Sequence, residues 1–558
     1  MVDGPLAPKL VYPEPNQAIT VRDSNFIFGS VGTGRAQLTI NGAPVKVAPN
    51  GTFLAYLPVP PPSAPRYEVI ARNGTDSARL VVPVRVPGPR PDLALTGRLV
   101  VDSGSASPRG ATNLALRDDE PVRVSIRAPA NANVWASAGG TTQPLVNTSG
   151  NSFATDLPAR LLRSGGALYA ARGRDTVRFN LSRIAPGETS TPHWVMLGDP
   201  GAQNDTDATI IGRSTPSGTY KWMFVPGTIV EETGRSGGNI RVRLDSRLEV
   251  WVDSVRDLPA GYPSPRRTVG AMAIVPSPEW VDIIMPVSSV PPYLIEQDLN
   301  RLTLTLYGTQ ATPDIIKFLQ NDSLVRVLNW VPEQSDRVRI SMELSQPPYG
   351  YLVLYDSRGF VLRLRRPPRV NAARPLEGLT ITVDPGHPPG GAIGPTGYTE
   401  AQGVLAVGMK LRDILQERGA HVVMTRTDMR PVDLHLRSVI ARRANSHLLI
   451  SVHENAFGEG IDPFPNVGTS TLFFHPQSEP LARLVQQGMM NQLGLRDLGI
   501  HYQNIAIGRT MWMPSIITEG LFLMVPEQEY AAKDPAYQER YARGVADGIE
   551  AYFRTFAR

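Results

Sequence analysis

The feature that most limits how this chain can fold is a change of pattern near residue 375. Upstream, apolar residues recur at every second position in short runs such as RAQLTING, YEVIARNG, VRVSIRA, IRVRLDSRLEVWVDS and LTLTLYG, separated by Gly, Pro, Asn and Asp. A period of two marks a half-buried strand, and the separating residues are turn formers. Downstream, continuous apolar runs alternate with amphipathic segments of helical period. The chain is therefore expected to be multidomain: several all-β units, sandwiches or small barrels, followed by a C-terminal α/β domain whose mostly parallel or mixed sheet is covered by helices.

Proline-rich joints at 85–92, 184–193, 258–267 and 365–375 divide the chain. Each is polar or basic with no apolar period, as in semi-rigid linkers. The expected units are 1–90, 91–190, 191–262, 263–372 and 373–558. TINGAPVKVAPNGTFLAYLPV in the first carries an Asn-Gly hairpin signal, and the unit resembles bacterial immunoglobulin-like β-sandwiches. The second is a β unit of unassigned type and the third is small-barrel-like. The fourth contains a repeat: VDIIMPVSSVPPY (281–293) and VRISMELSQPPY (338–349) each run into an alternating strand. Two copies of one hairpin unit imply a pseudo-symmetric sandwich.

Composition removes several chemistries. With no cysteine, disulfide frameworks, thiol nucleophiles and cysteine metal sites are excluded. No stretch of about 18 uninterrupted apolar residues occurs, so no transmembrane segment is expected, and the start MVDGPLAPKL lacks the basic-then-apolar order of a signal peptide. A formal charge of +5 over 558 residues is that of a solvated exterior, and no nucleic-acid partner is expected.

Seven of the eight histidines follow residue 375. His421 and His447 begin strands, His435 lies in a helix and His475 ends a strand, all places where structural roles suffice. His387 differs: it follows a buried strand in TVDPGHPPGGAIGPTG, where Pro and Gly turn the chain outside the sheet. His453 holds the corresponding place after LLISV. A broken zinc-protease helix is the competing reading of SVHENAF, but LLISV has the length and β-branched content of a strand. His453 and Glu454 then point to opposite sides, and Glu454 has no assigned role. Glu400 opens the next helix, where an acid also suits the helix dipole. His387, Glu400 and His453 form a two-His, one-carboxylate set, the ligand type of catalytic zinc sites. Glu519, in the apolar run PSIITEGLFLM, must be paired or face such a metal, and there it can take a proton from water.

TVDPGH, GAIGPTGYTE, MTRTD, SVHENA, LGLRDLGI and MPSIITEGLFLMVPEQEY occur in the order of the zinc-dependent N-acetylmuramoyl-L-alanine amidases, which residues 377–556 resemble. The chain reads PPGG after His387 where members show two glycines, and Glu-Gly-Leu-Phe at Glu519 where Glu-Leu-Gly-Phe is usual. The resemblance implies that His387, Glu400 and His453 bind Zn2+ and that Glu519 is the catalytic base. It also implies hydrolysis of the amide joining N-acetylmuramic acid to L-alanine in the stem peptide of peptidoglycan. The repeat at 263–372 resembles the AMIN domain, an envelope-targeting β-sandwich, so an envelope protein partner is a further expectation. Action outside the cytoplasm follows from the substrate. The alternatives are a catalytically silent envelope-binding scaffold and another zinc peptidase of cell-wall peptides. Only fifteen positions separate His453 from Gly468, too few for the blocking helix of some members, so an accessible site is expected.

Overall fold

The computed structural model describes residues 1–88, 93–109, 114–187, 192–198, 210–216, 218–318 and 322–557. The expected boundaries at 90/91 and 190/191 lie outside the described residues.

Residues 9–83 form two facing sheets, ordered Lys9–Tyr12, Ser24–Ser30, Thr52–Pro58 and Ala43–Val45, Gln37–Ile40, Arg66–Asn73, Asp76–Pro83. Asn41 and Gly42 (φ 48° and 83°) make the tight turn that pairs Ile40 with Ala43. Both positions need left-handed backbone, which is why Asn-Gly occurs there. The next stretch is also a sandwich, of two four-stranded sheets around Val124, Ile126, Leu162 and Leu168. It lends Ala115–Leu116 and Ala185–Pro186 to the curled sheet of the third unit, where Ala115 pairs with Arg235. Second and third units are thus joined through their backbones.

The fourth unit shows how its repeat is used. Each copy supplies a first strand, Trp280–Met285 or Arg337–Leu344, and a hairpin, Tyr293–Tyr307 or Gly350–Arg365. Each first strand pairs with the other copy's hairpin: Trp280–Met285 with Gly359–Arg365, and Arg337–Leu344 with Arg301–Tyr307. The two halves exchange strands, and Ile283, Leu304, Ile340 and Leu362 close one shared core.

The last unit has a six-stranded sheet in the order His421–Met424, Thr380–Pro385, Leu448–Asn455, Ser515–Phe522, Thr469–Phe473, Asp497–Tyr502. Only the pairing of Thr469–Phe473 with Ser515–Phe522 is antiparallel. Helices Glu400–Glu417, Glu479–Leu493 and Pro535–Arg554 cover one face around Val404, Leu411, Val485 and Val545. The other face carries a single long helix, Leu434–Arg443, and is completed by Leu352 of the fourth unit packing with Leu449, Trp512 and Ile517. A β strand from a neighbouring unit takes the place of helical cover that the alternating pattern predicts on both faces.

Candidate metal centre

Three parallel strands, Thr380–Pro385, Leu448–Asn455 and Ser515–Phe522, end on the same side of the sheet, where α/β folds place their ligands. His387 lies just beyond the first, His453 near the end of the second, and Glu519 directly beside His453 in the third. Glu400 opens the helix that follows the His387 loop. Thr399 caps that helix, with a capping box closed by Gln402, so the helix start and Glu400 are fixed together.

Glu400 lies between the two imidazoles: Oε2 lies 3.3 Å from His387 Nε2 and Oε1 lies 2.9 Å from His453 Nδ1. The rings stand edge to face, 4.9 Å apart at 82°. His387 Nδ1–H donates to the Pro389 carbonyl at 2.9 Å, which leaves the Nε2 lone pair toward the centre. His387 adopts φ 56°, a left-handed conformation that non-glycine residues avoid, so the fold holds this imidazole against a local preference. Two glycines make room. A Cβ on Gly386 would lie 2.2 Å from His453 Cε1, and one on Gly391 would lie 2.9 Å from the His387 ring.

The donor atoms of His387, Glu400 and His453 all lie within 4.8 Å of one another. A tetrahedral metal with bonds of ~2.0–2.2 Å separates its ligand atoms by about 3.4 Å, so this set fits such an ion. Glu400 is almost fully buried, which would raise its pKa, but the two histidines outweigh burial and hold it well below the usual carboxylate range. Burial would lower the His453 pKa, and Glu400 reverses the direction. Burial pushes Glu519 up to about 7, and its Oε2 has no hydrogen-bond partner. His387 and His453 keep 25% and 18% of their side chains exposed, and residues 456–468 contain no helix, so the centre is open to solvent.

Glu454 faces the other way, near Gly403, with only its backbone N–H directed at Glu400. Its carboxylate is buried without a hydrogen-bond partner, and that burial beside Glu400 and Glu519 pushes its pKa well above the ordinary range. The remaining C-terminal histidines stay apart from the centre. His447 accepts the Thr380 N–H and His475 donates to the Arg509 carbonyl, while His421 and His435 are exposed. A second cluster, His193, Glu232 and Asp257, lies in the third unit, but Arg235 grips both oxygens of Glu232, making it an ion-pair group.

Sequence reasoning missed the groups that hold the centre. Asp384 is fully buried and accepts from Thr425, Ser451 and Arg437. Arg437 also donates to the Pro385 and Pro388 carbonyls, and Arg426 to those of Pro385, Gly386 and Ala401. Two guanidiniums therefore fasten the turn that carries His387. Glu529, fully buried, accepts from the N–H and hydroxyl of Thr396 and pins the loop before Glu400. The available signal was Asp384 itself, a carboxylate inside an apolar strand that had to find a cation.

Residues 381–551 match the family Amidase_3, described as N-acetylmuramoyl-L-alanine amidase. The chain is 27% identical over 188 residues to the probable cell wall amidase LytH of Staphylococcus epidermidis, covering 33% of this chain and 61% of that protein. It is 30% identical over 198 residues to the germination-specific N-acetylmuramoyl-L-alanine amidase of Bacillus subtilis, covering 32% of this chain and 81% of that protein. Among solved structures it is similar to the N-acetylmuramoyl-L-alanine amidase from Clostridium difficile 630, with 29% identity, a TM-score of 0.30, and coverage of 31% of this chain and 96% of that one. The chain thus spans less than two thirds of the length of the staphylococcal relative. Through its last third, this chain belongs to the N-acetylmuramoyl-L-alanine amidase family.

Proposed function

We propose that the protein is a zinc-dependent peptidoglycan hydrolase that cleaves the amide between N-acetylmuramic acid and L-alanine outside the cytoplasm. The observation that carries this reading is the convergence of His387, Glu400 and His453, beside Glu519, within the stretch that matches the amidase family. His387, Glu400 and His453 would hold the metal. When bound, zinc polarises a carbonyl and lowers the pKa of water to ~7.

The chain's own residues supply the rest. The Pro389 carbonyl fixes the His387 tautomer, and Glu400 orients both rings. Glu519 stands next to His453 with an oxygen that no protein group occupies, so it can accept the proton of the attacking water and deliver it to the departing L-alanine amine. The carbonyl carbon gains the water oxygen, the C–N bond breaks, and the amine leaves protonated.

We read residues 263–372 as an AMIN-like domain, supported by the repeat and its strand exchange, with peptidoglycan or an envelope protein as its target. Incubation with purified sacculi tests the whole reading. New L-alanine amino groups are expected; new reducing ends would instead mean glycosidase action, and neither product would mean a silent scaffold.

A further inference from the structure

The first and last units touch, although hundreds of residues separate them. Strand Ser24–Ser30 is buried on both faces. Ile27 joins the sandwich core, while Phe26 and Phe28 on the opposite face, with Leu54, pack on Phe457, Met524 and Val525. Phe457 belongs to the loop that leaves the His453 strand, and Met524 and Val525 to the one that leaves the Glu519 strand. The first unit therefore packs against the loops that leave two of the strands carrying the candidate centre.

Around this apolar contact the loop tip is tied down by polar groups. Glu459 Oε1 accepts from the Tyr12 hydroxyl at 2.7 Å, and its Oε2 accepts from the Thr20 N–H at 3.0 Å and from the Thr20 hydroxyl. The Gly460 N–H donates to Asn25 Oδ1 at 3.1 Å, and its carbonyl accepts from the Tyr56 hydroxyl at 2.8 Å. Gly460 has φ 80°, and a Cβ there would lie 2.8 Å from Val21 Cγ1, so the tip fits closely against the first unit. The loop's own unit holds its two ends, through Phe457 stacked on Phe522 and through Arg496 donating to the Pro465 carbonyl.

We propose that the first β unit is a positioning element of the amidase site: through Tyr12, Thr20, Asn25 and Tyr56 it holds the Glu459–Gly460 tip, and so keeps the loop leaving His453 in the form that receives the glycan-linked peptide. This rests on the amidase reading. The physical reason is entropy. Fixing a loop backbone costs conformational entropy that opposes binding, and a loop already fixed by a neighbouring unit does not present that opposition to substrate. The effect therefore falls on KM more than on kcat.

The test uses the full chain and the variants Glu459→Ala and Glu459→Gln, the second keeping an acceptor for Thr20 and a group for Tyr12. Amide hydrogen exchange of residues 457–464, zinc content, and KM and kcat on soluble glycan–peptide fragments from purified sacculi are compared. Glu459→Ala is expected to exchange about tenfold faster in that loop. Its KM should rise about five- to tenfold with kcat within about twofold, and zinc content should not change. Glu459→Gln should restore both exchange and KM. Unchanged exchange overturns the inference, as does faster exchange with an unchanged KM. A parent protein that releases no L-alanine amino groups overturns the amidase reading instead, and exchange alone then decides whether the first unit holds the loop.

Discussion

Asp384 and Arg437 form a salt bridge of 2.7 Å in which the carboxylate is 0% and the guanidinium 4% exposed. It lies directly beneath the turn that carries His387, because Arg437 also binds the carbonyls of that turn. Removing one partner leaves an uncompensated buried charge, a loss of ~3–5 kcal/mol. Arg437→Met is expected to lower stability by that order, measured by denaturant unfolding, and to weaken metal binding. An Asp384→Asn, Arg437→Met double variant should recover part of the loss.

Gly386 has no side chain because the His453 ring occupies that space. Gly386→Ala must displace the imidazole while leaving the strand beneath intact. The fold should survive with unfolding close to that of the parent, and zinc affinity should fall at least about tenfold in a chelator competition, the range seen when a ligand's support is lost. Unaltered affinity would mean that the His453 ring is not a ligand in this position.

Acid should loosen the fold through histidines remote from the centre. Burial pushes His475 down to about 4, and burial with Arg365 nearby does the same for His447. Each stays neutral in the folded chain while its unfolded counterpart takes a proton near 6.5. Their stability contribution is therefore full above pH 6.5 and is lost as pH falls toward 4. For the buried His475 the loss reaches ~3 kcal/mol. The thermal midpoint should decline across this window, and His475→Phe should decline less steeply despite leaving the Arg509 carbonyl unpaired.

Much of the α/β unit was legible because its signals are local. The period of LTITVDP and LLISV gives buried strands, and Thr399 with Gln402 gives the helix start that the structure shows at Glu400. The edge strand Asp497–Tyr502 was not legible: DLGIHY is half polar and interrupted by glycine, and its parallel partner Thr469–Phe473 decides its conformation. The roles of Arg426 and Arg437 were not legible, since nothing in MTRTD or LHLRSVI says that a buried aspartate lies opposite. The packing of Phe26 and Phe28 was not legible for the same reason. Which surface covers them depends on Phe457 and Met524, far along the chain. The joining of the second unit to the third, and the fourth unit's cover of the α/β sheet, are likewise contacts between segments with no common local pattern.

In the proposed reaction Glu519 is the group that moves the proton. Glu519→Ala removes that carboxylate and none of the three groups that would hold the metal. The decisive measurement is release of L-alanine amino groups from purified sacculi by zinc-loaded parent and Glu519→Ala proteins, with zinc content determined on the same samples. Equal zinc is expected in both, with a rate ~10²–10⁴-fold lower in the variant, the range of general acid–base catalysis. Equal rates in the two proteins would mean that Glu519 does not move the proton.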